Sequence, residues 1–171
     1  MFSVGDKVAY GGTGVCVVEE ILKSKSAATG EERLFYVLRP LYQSGIIRTP
    51  VDNEKIPLRP VLSREEAEKL VDSAYTLESE MCLEKNLNVL RNHYQECLSS
   101  FRCEDLLALA KSIYAKKKYV ESLRKKIGVT DEKYLRRAEE LLFGELAESL
   151  DRSKDEVAEL FRERICIQTT E

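Results

Sequence analysis

Side chains able to bind phosphate are concentrated in one stretch of this chain. Lys116-Lys117-Lys118 and Arg124-Lys125-Lys126 lie within Lys111 to Arg137, a segment with ten Lys/Arg against three acidic residues. The flanking stretches are acidic: Arg64 to Ala110 holds ten Asp/Glu against five Lys/Arg, and Ala138 to Arg164 holds nine against four. On a chain whose net charge is only −3, such a belt can attract a phosphate backbone locally. The competing reading is a solvated helical face that happens to be basic.

Other chemistry finds little support. The five cysteines, Cys16, Cys82, Cys97, Cys103 and Cys166, are odd in number and show no C-x-x-C spacing, so they read as small apolar residues in a reducing compartment. His93 is the single histidine and cannot anchor a metal site unaided. No Ser-His-Asp set, P-loop or dinucleotide fingerprint occurs. The expectation is a non-enzymatic protein with no cofactor and no small-molecule substrate. No apolar run approaches the roughly 18 to 20 residues of a membrane span, and M-F-S-V-G-D lacks the regions of a signal peptide, so no membrane partner and a cytoplasmic location are expected.

Two kinds of element would position these residues. Residues 1–61 read as an SH3-like or Tudor-like barrel of about five short strands. Its opening, V-G-D-K-V-A-Y-G-G-T-G-V-C-V-V-E-E-I, alternates strand formers such as Val4, Val8, Val15, Val17 and Ile21 with Gly11, Gly12 and Gly14, which supply positive φ for a tight turn. A strand to about Leu22, a polar loop Lys23 to Glu32, and strands over Arg33 to Leu41 and Gly45 to Asp52 follow. Pro40, Pro50, Pro57 and Pro60 belong at strand ends, edges or bulges, because proline cannot donate to a ladder. The pattern predicts a barrel and not an open sheet.

Residues 62–171 read as a compact bundle of about five helices, which makes the whole chain α+β. Ser63 with Glu66, and Ser153 with Glu156, fit capping boxes. Leu83, Leu87, Leu90, Tyr94 and Leu98 give an apolar stripe for a helix over 78–98. The next helix runs from about Cys103 to Lys126 and stops near Gly128; Thr130 starts another, carrying Leu135, Ala138, Leu141, Leu142 and Leu146.

Four stretches stand out across the two halves: V-G-D-K-V-A-Y, the Gly14-Val15 turn, I-I-R-T-P ending at Pro50, and A-E-E-L-L-F-G-E-L-A at Ala138 to Ala147. In these residues the chain resembles the CarD/CdnL family of bacterial RNA polymerase-binding transcription regulators, whose N-terminal module is shared with the transcription-repair coupling factor. The resemblance implies that the barrel docks on the polymerase β subunit by pairing a strand edge, with Arg48 at the family's contact arginine and Ile47 and Thr49 beside it. A second basic position of the family falls near Ser24, flanked by Lys23 and Lys25.

The resemblance further implies weak, sequence-independent contact of the helical domain with promoter DNA, where the family inserts a tryptophan into the minor groove. This chain has no tryptophan. Counting back without gaps from Glu104-Asp105 and Tyr94 puts Leu90 at that position, followed by Arg91, Asn92 and His93. Leu90 is then either an apolar wedge or a core residue of the stripe. Arg91, His93, Lys116, Lys117, Lys118, Arg124 and Lys125 are the accompanying DNA-contact candidates. Two other readings remain open: a protein-protein adaptor on the polymerase without DNA binding, and an RNA- or ribosome-binding SH3-like module.

Overall fold

The computed structural model describes residues 1–167 and divides the chain into two compact units, Met1–Val61 and Leu62 onward. The first is built of strands and the second of helices, so the chain is α+β as its pattern indicates.

In the first unit β1 (Lys7–Tyr10), β2 (Gly14–Lys25), β3 (Glu32–Pro40), β4 (Ile47–Pro50) and β5 (Leu58–Pro60) form an antiparallel sheet in the order β4-β3-β2-β1-β5. Val8, Tyr10, Cys16, Val18, Tyr36 and Leu38 make its buried core. A single sheet encloses such a cluster by curling, and the register shift between Val18 and Glu20 marks a bulge that bends β2. β4 and β5 are the two ends of the strand order and are not ladder neighbours, so the five-stranded barrel keeps two edges. Pro40, Pro50 and Pro60 are the last residues of β3, β4 and β5, where a missing donor costs no ladder bond.

The opening turn depends on glycine at two positions. Gly11 has φ +42° and Gly14 φ +86°, whereas Gly12 adopts no positive φ and Val4 lies exposed before the first strand. A Cβ on Gly11 would stand 2.6 Å from Ile56 Cγ2, and the Gly11 N–H donates to Pro57 O at 2.9 Å. The turn is thereby held against the chain entering β5.

The second unit contains α1 (Arg64–Ser73), α2 (Leu87–Leu98), α3 (Cys103–Ser122), α4 (Val129–Leu150) and α5 (Lys154–Ile167). Both capping boxes form: Ser63 and Glu66 exchange bonds of 2.8 and 3.2 Å, and Ser153 and Glu156 bonds of 2.8 and 3.1 Å. The core holds Leu70, Val71, Leu90, Tyr94, Leu98, Leu106, Leu107, Ile113, Leu135, Ala138, Leu142, Leu146, Val157 and Phe161.

Two helices are shorter than their apolar spacing predicts. α2 begins at Leu87 because the Asn86 side chain caps it, accepting from Asn88 N at 3.0 Å and Val89 N at 3.3 Å. Residues 77–86 are non-helical and are tied to α3 instead: Lys111 Nζ donates to Ala74 O at 2.7 Å and to Leu77 O, and Ser112 Oγ donates to Glu80 O at 2.6 Å. α3 stops at Ser122, not near Lys126. Arg124 takes φ +57°, its N–H donates to Glu121 O, and the Lys125 N–H donates to Val120 O, which is a Schellman closure without glycine. Gly128 caps the start of α4 and does not end α3.

Candidate functional site

The strand carrying Arg48 is an edge strand. β4 pairs on one side with β3, with Arg48 opposite Val37, and among the described residues has no ladder partner on its other side. Alternation along a strand sends Ile47 and Thr49 to the face opposite Arg48. Ile47 packs on the core, and Thr49 is 2% exposed and accepts from Asn53 Nδ2 at 2.9 Å. Thr49 and Ile47 are therefore structural residues of β4, and Arg48 is the exposed side chain of the three.

The ladder registers place the other basic candidates. Val37 faces Glu20 on β2, and from there Leu22 and Ser24 share the face of Arg48. Lys23 and Lys25 follow Ile21, which packs on the core, and so lie on the opposite face from Arg48. Lys23 is also paired with Glu32 at 2.5 Å. The structure does not bring Lys23 and Lys25 together with Arg48. It does place Arg33, opposite Ser24 in the register and exposed, on the Arg48 face. A cation missing from β2 at Ser24 is thus present on its cross-strand neighbour, a relation visible only once register is known.

In the helical unit three elements meet at a buried carboxylate. Asp131, at the start of α4, accepts from Tyr94 Oη of α2 at 2.6 Å and from Lys116 Nζ of α3 at 2.8 Å through Oδ1, and from Gly128 N at 3.2 Å through Oδ2. All three side chains are buried. Burial first, and then the bond to Asp131, push the Tyr94 phenol well above its ordinary range. Lys116 is consequently a fixed internal partner and not a phosphate contact. Lys111 is likewise buried, and burial lowers its ammonium from the ordinary value.

This junction fixes which residues share an end of the unit. From Tyr94 back to Leu87 is about 10 Å of helix, and from Lys116 on to Ser122 about 9 Å. α2 and α3 are joined by a short connection and run antiparallel, so the start of α2, the end of α3 and the start of α4 lie at one pole. That pole carries Lys117, Lys118, Arg124, Lys125, Lys126 and Lys133, all exposed. Among the described residues, Lys117, Arg124, Lys125, Lys126 and Lys133 form no ion pair.

Leu90 does not belong to the exposed surface. It is 3% exposed and sits in the core with Tyr94 and Leu98, so the wedge assignment to this residue is corrected to core. The exposed apolar side chains at the start of α2 are Leu87, 54% exposed, and Val89. Arg91 and His93 are exposed on the same helix. His93 Nε2 lies 4.0 Å from Cys97 Sγ, and burial, with Asp105 and Glu96 nearby, raises that thiol, which opposes a nucleophilic role. Cys166 lies among the residues whose side chains are not described.

Among the described residues no group of three or more His, Cys, Asp or Glu is arranged to hold a metal ion, and no helix is long and apolar enough to cross a membrane. Sequence reasoning also missed Glu145, a buried carboxylate within the G-E-L-A segment. Its Oε1 accepts from Leu62 N at 3.0 Å and its Oε2 from Cys103 Sγ at 3.1 Å.

The model of the CarD-like/TRCF RID domain matches residues 2–62, which coincide with the β unit. The chain therefore carries a CarD-like domain of Tudor-like fold, of the kind found in RNA polymerase-interacting transcription factors. The five helices lie outside the matched residues. No curated protein matches the chain.

Proposed function

We propose that this protein is a non-enzymatic regulator of bacterial transcription, which docks on the RNA polymerase β subunit through the open edge of β4 and touches promoter DNA with the basic pole of its helical unit. The observation that carries the reading is the edge position of β4 with Arg48 outward, within a domain of polymerase-interacting type. A strand added to this edge gains main-chain hydrogen bonds, while Arg48 and Arg33 on one face give selectivity.

The DNA contact draws on Lys117, Lys118, Arg124, Lys125 and Arg91, with Leu87 taking the apolar role that burial denies to Leu90. Tethering to polymerase raises the effective concentration of the helical unit at the promoter, so a weak contact acts once the complex forms. A contact made better with the melted than with the closed promoter shifts the equilibrium by that difference, and about 1.4 kcal/mol changes the ratio tenfold.

Co-purification with RNA polymerase tests the docking half, comparing the native chain with Arg48→Glu. The expected result is loss of β-subunit recovery with the fold unchanged by circular dichroism. Retention of polymerase by Arg48→Glu, or recovery of ribosomes in its place, overturns the assignment. The DNA half is tested by titrating the full chain onto promoter duplex across salt, where phosphate contacts require a steep fall in affinity.

A further inference from the structure

Two thiols of the helical unit flank one stretch of irregular chain. Cys82 lies in the non-helical segment 77–86 and Cys97 near the end of α2; both are half-buried and pack against the same core cluster. Cys97 lines a cavity of about 580 Å³ together with His93 and Glu96 of its own helix, and Glu78, Ser79 and Glu80 form another part of the wall. The 2.6 Å bond from Ser112 Oγ to Glu80 O fixes the segment there, and Cys82 follows Glu80 by two residues, which is at most about 7 Å of extended chain. Burial first, then Asp105, Glu96 and Cys82, raise the Cys97 thiol, and Tyr94, one turn before Cys97, responds to both sulfurs after burial and Asp131. The two thiols are therefore neighbours at the cavity. The other described thiols are enclosed: Cys16 is buried in the β unit, and Cys103 is buried and donates to Glu145 Oε2 at 3.1 Å.

We infer that Cys82 and Cys97 form a redox-responsive pair, which a peroxide closes to an intramolecular disulfide that fastens segment 77–86 to α2. Side-chain bonds hold this segment at the Leu77 and Glu80 carbonyls, and neither helix nor strand fixes Cys82, so its Cβ can approach to the roughly 3.8 Å that a disulfide requires. Cys82 reacts first. Its sulfur attacks one peroxide oxygen, the O–O bond breaks, and hydroxide leaves with the thiol proton as water; the sulfur, oxidised by two electrons, becomes a sulfenic acid. Cys97 does not compete for peroxide, because burial and two carboxylates keep its thiol protonated. Beside the sulfenic sulfur it needs no encounter from solution, and it displaces hydroxide, which departs with the Cys97 proton as a second water. Two thiols and one hydrogen peroxide thus give one disulfide and two waters. A pair of this kind stays reduced in a reducing compartment and closes when peroxide rises. Neither polymerase docking nor DNA contact enters this chemistry.

The test treats the reduced full chain with hydrogen peroxide near neutral pH, follows its intact mass, and maps the cysteine peptides without reduction. The expected product has lost two hydrogen atoms, carries a Cys82–Cys97 link, and returns to the starting mass with dithiothreitol. Cys97→Ser is expected to stop at a sulfenic acid on Cys82 that dimedone traps. Cys82→Ser is expected to leave Cys97 about tenfold less labelled by dimedone than Cys82 is in Cys97→Ser. Circular dichroism verifies the fold of both variants, and the native peptide map stands independently of them. A native chain that keeps both thiols under peroxide overturns the inference. So does a link from either thiol to Cys16, Cys103 or Cys166, or a disulfide-linked dimer. Equal dimedone labelling of Cys97 and Cys82 in the two variants overturns the order of the steps.

Discussion

Lys116 Nζ lies 2.8 Å from Asp131 Oδ1 with both side chains buried, and the same oxygen accepts from Tyr94 Oη. The first residue of a Lys-Lys-Lys run is therefore an internal fastener, while its neighbour Lys117 is exposed. Removing one member of a buried pair leaves the other charge without compensation, so Asp131→Ala is expected to cost about 3 to 5 kcal/mol in urea denaturation. Lys117→Ala is expected to stay within about 0.5 kcal/mol of the native chain. The double variant Lys116→Met/Asp131→Leu recovers part of the loss, because it removes both charges together. Equal loss in the single and double variants contradicts this account.

Leu90 and Leu87 are one helical turn apart and answer oppositely to truncation. Leu90→Ala opens a cavity in the helical core and is expected to cost about 2 to 5 kcal/mol. Leu87→Ala, at an exposed position, is expected to leave stability almost unchanged and to shorten the lifetime of the polymerase–promoter open complex. Stopped-flow decay of that complex measures the second effect. A stable Leu90→Ala protein with a short-lived open complex would return the wedge to Leu90.

Features that depend on neighbours in the chain were legible in the sequence. Ser63 with Glu66 and Ser153 with Glu156 are three residues apart, so their capping geometry follows from spacing alone. The prolines marked strand ends for the same local reason. The misread positions all needed longer-range information. Leu83 and Leu87 continue the helical spacing of Leu90 and Tyr94, but the Asn86 cap ends the helix before Leu83 and packing leaves Leu87 outside. Lys116 and Lys117 differ by about 100° around a helix, and only the position of Asp131 on another helix decides which one is inside. Arg33 shares the face of Arg48 through strand register, which no local pattern specifies.

Cys16 is fully buried in the β unit, and burial pushes its thiol up to about 11 from an ordinary value of 9.0. A folded-state value above the unfolded one means that the neutral thiol stabilises the fold fully below about pH 9. That contribution is lost as pH rises through about 11. Denaturation of the native chain is expected to show declining stability of the β unit between these values, and Cys16→Ala is expected to flatten the decline. Alkylation of Cys16 at pH 8 in the native state is expected to be slow relative to alkylation in guanidinium. Rapid native labelling contradicts the burial argument.

Arg124 separates stability from function more sharply than any other residue of the pole. Its left-handed backbone closes α3 through the N–H bonds of Arg124 and Lys125, and a non-glycine residue is strained there. Arg124→Gly keeps both main-chain bonds and relieves the strain, so the helical unit is expected to gain about 0.5 to 1 kcal/mol in urea denaturation. The same change removes a cation with no ion pair among the described residues, so DNA affinity is expected to fall and the salt slope to drop by about one contact. Arg124→Lys, which keeps the charge and the strain, is expected to retain native stability and most of the DNA affinity. A glycine variant that is stabilised yet binds DNA as well as the native chain would show that the arginine is retained for some purpose other than phosphate contact, and would take Arg124 out of the interface.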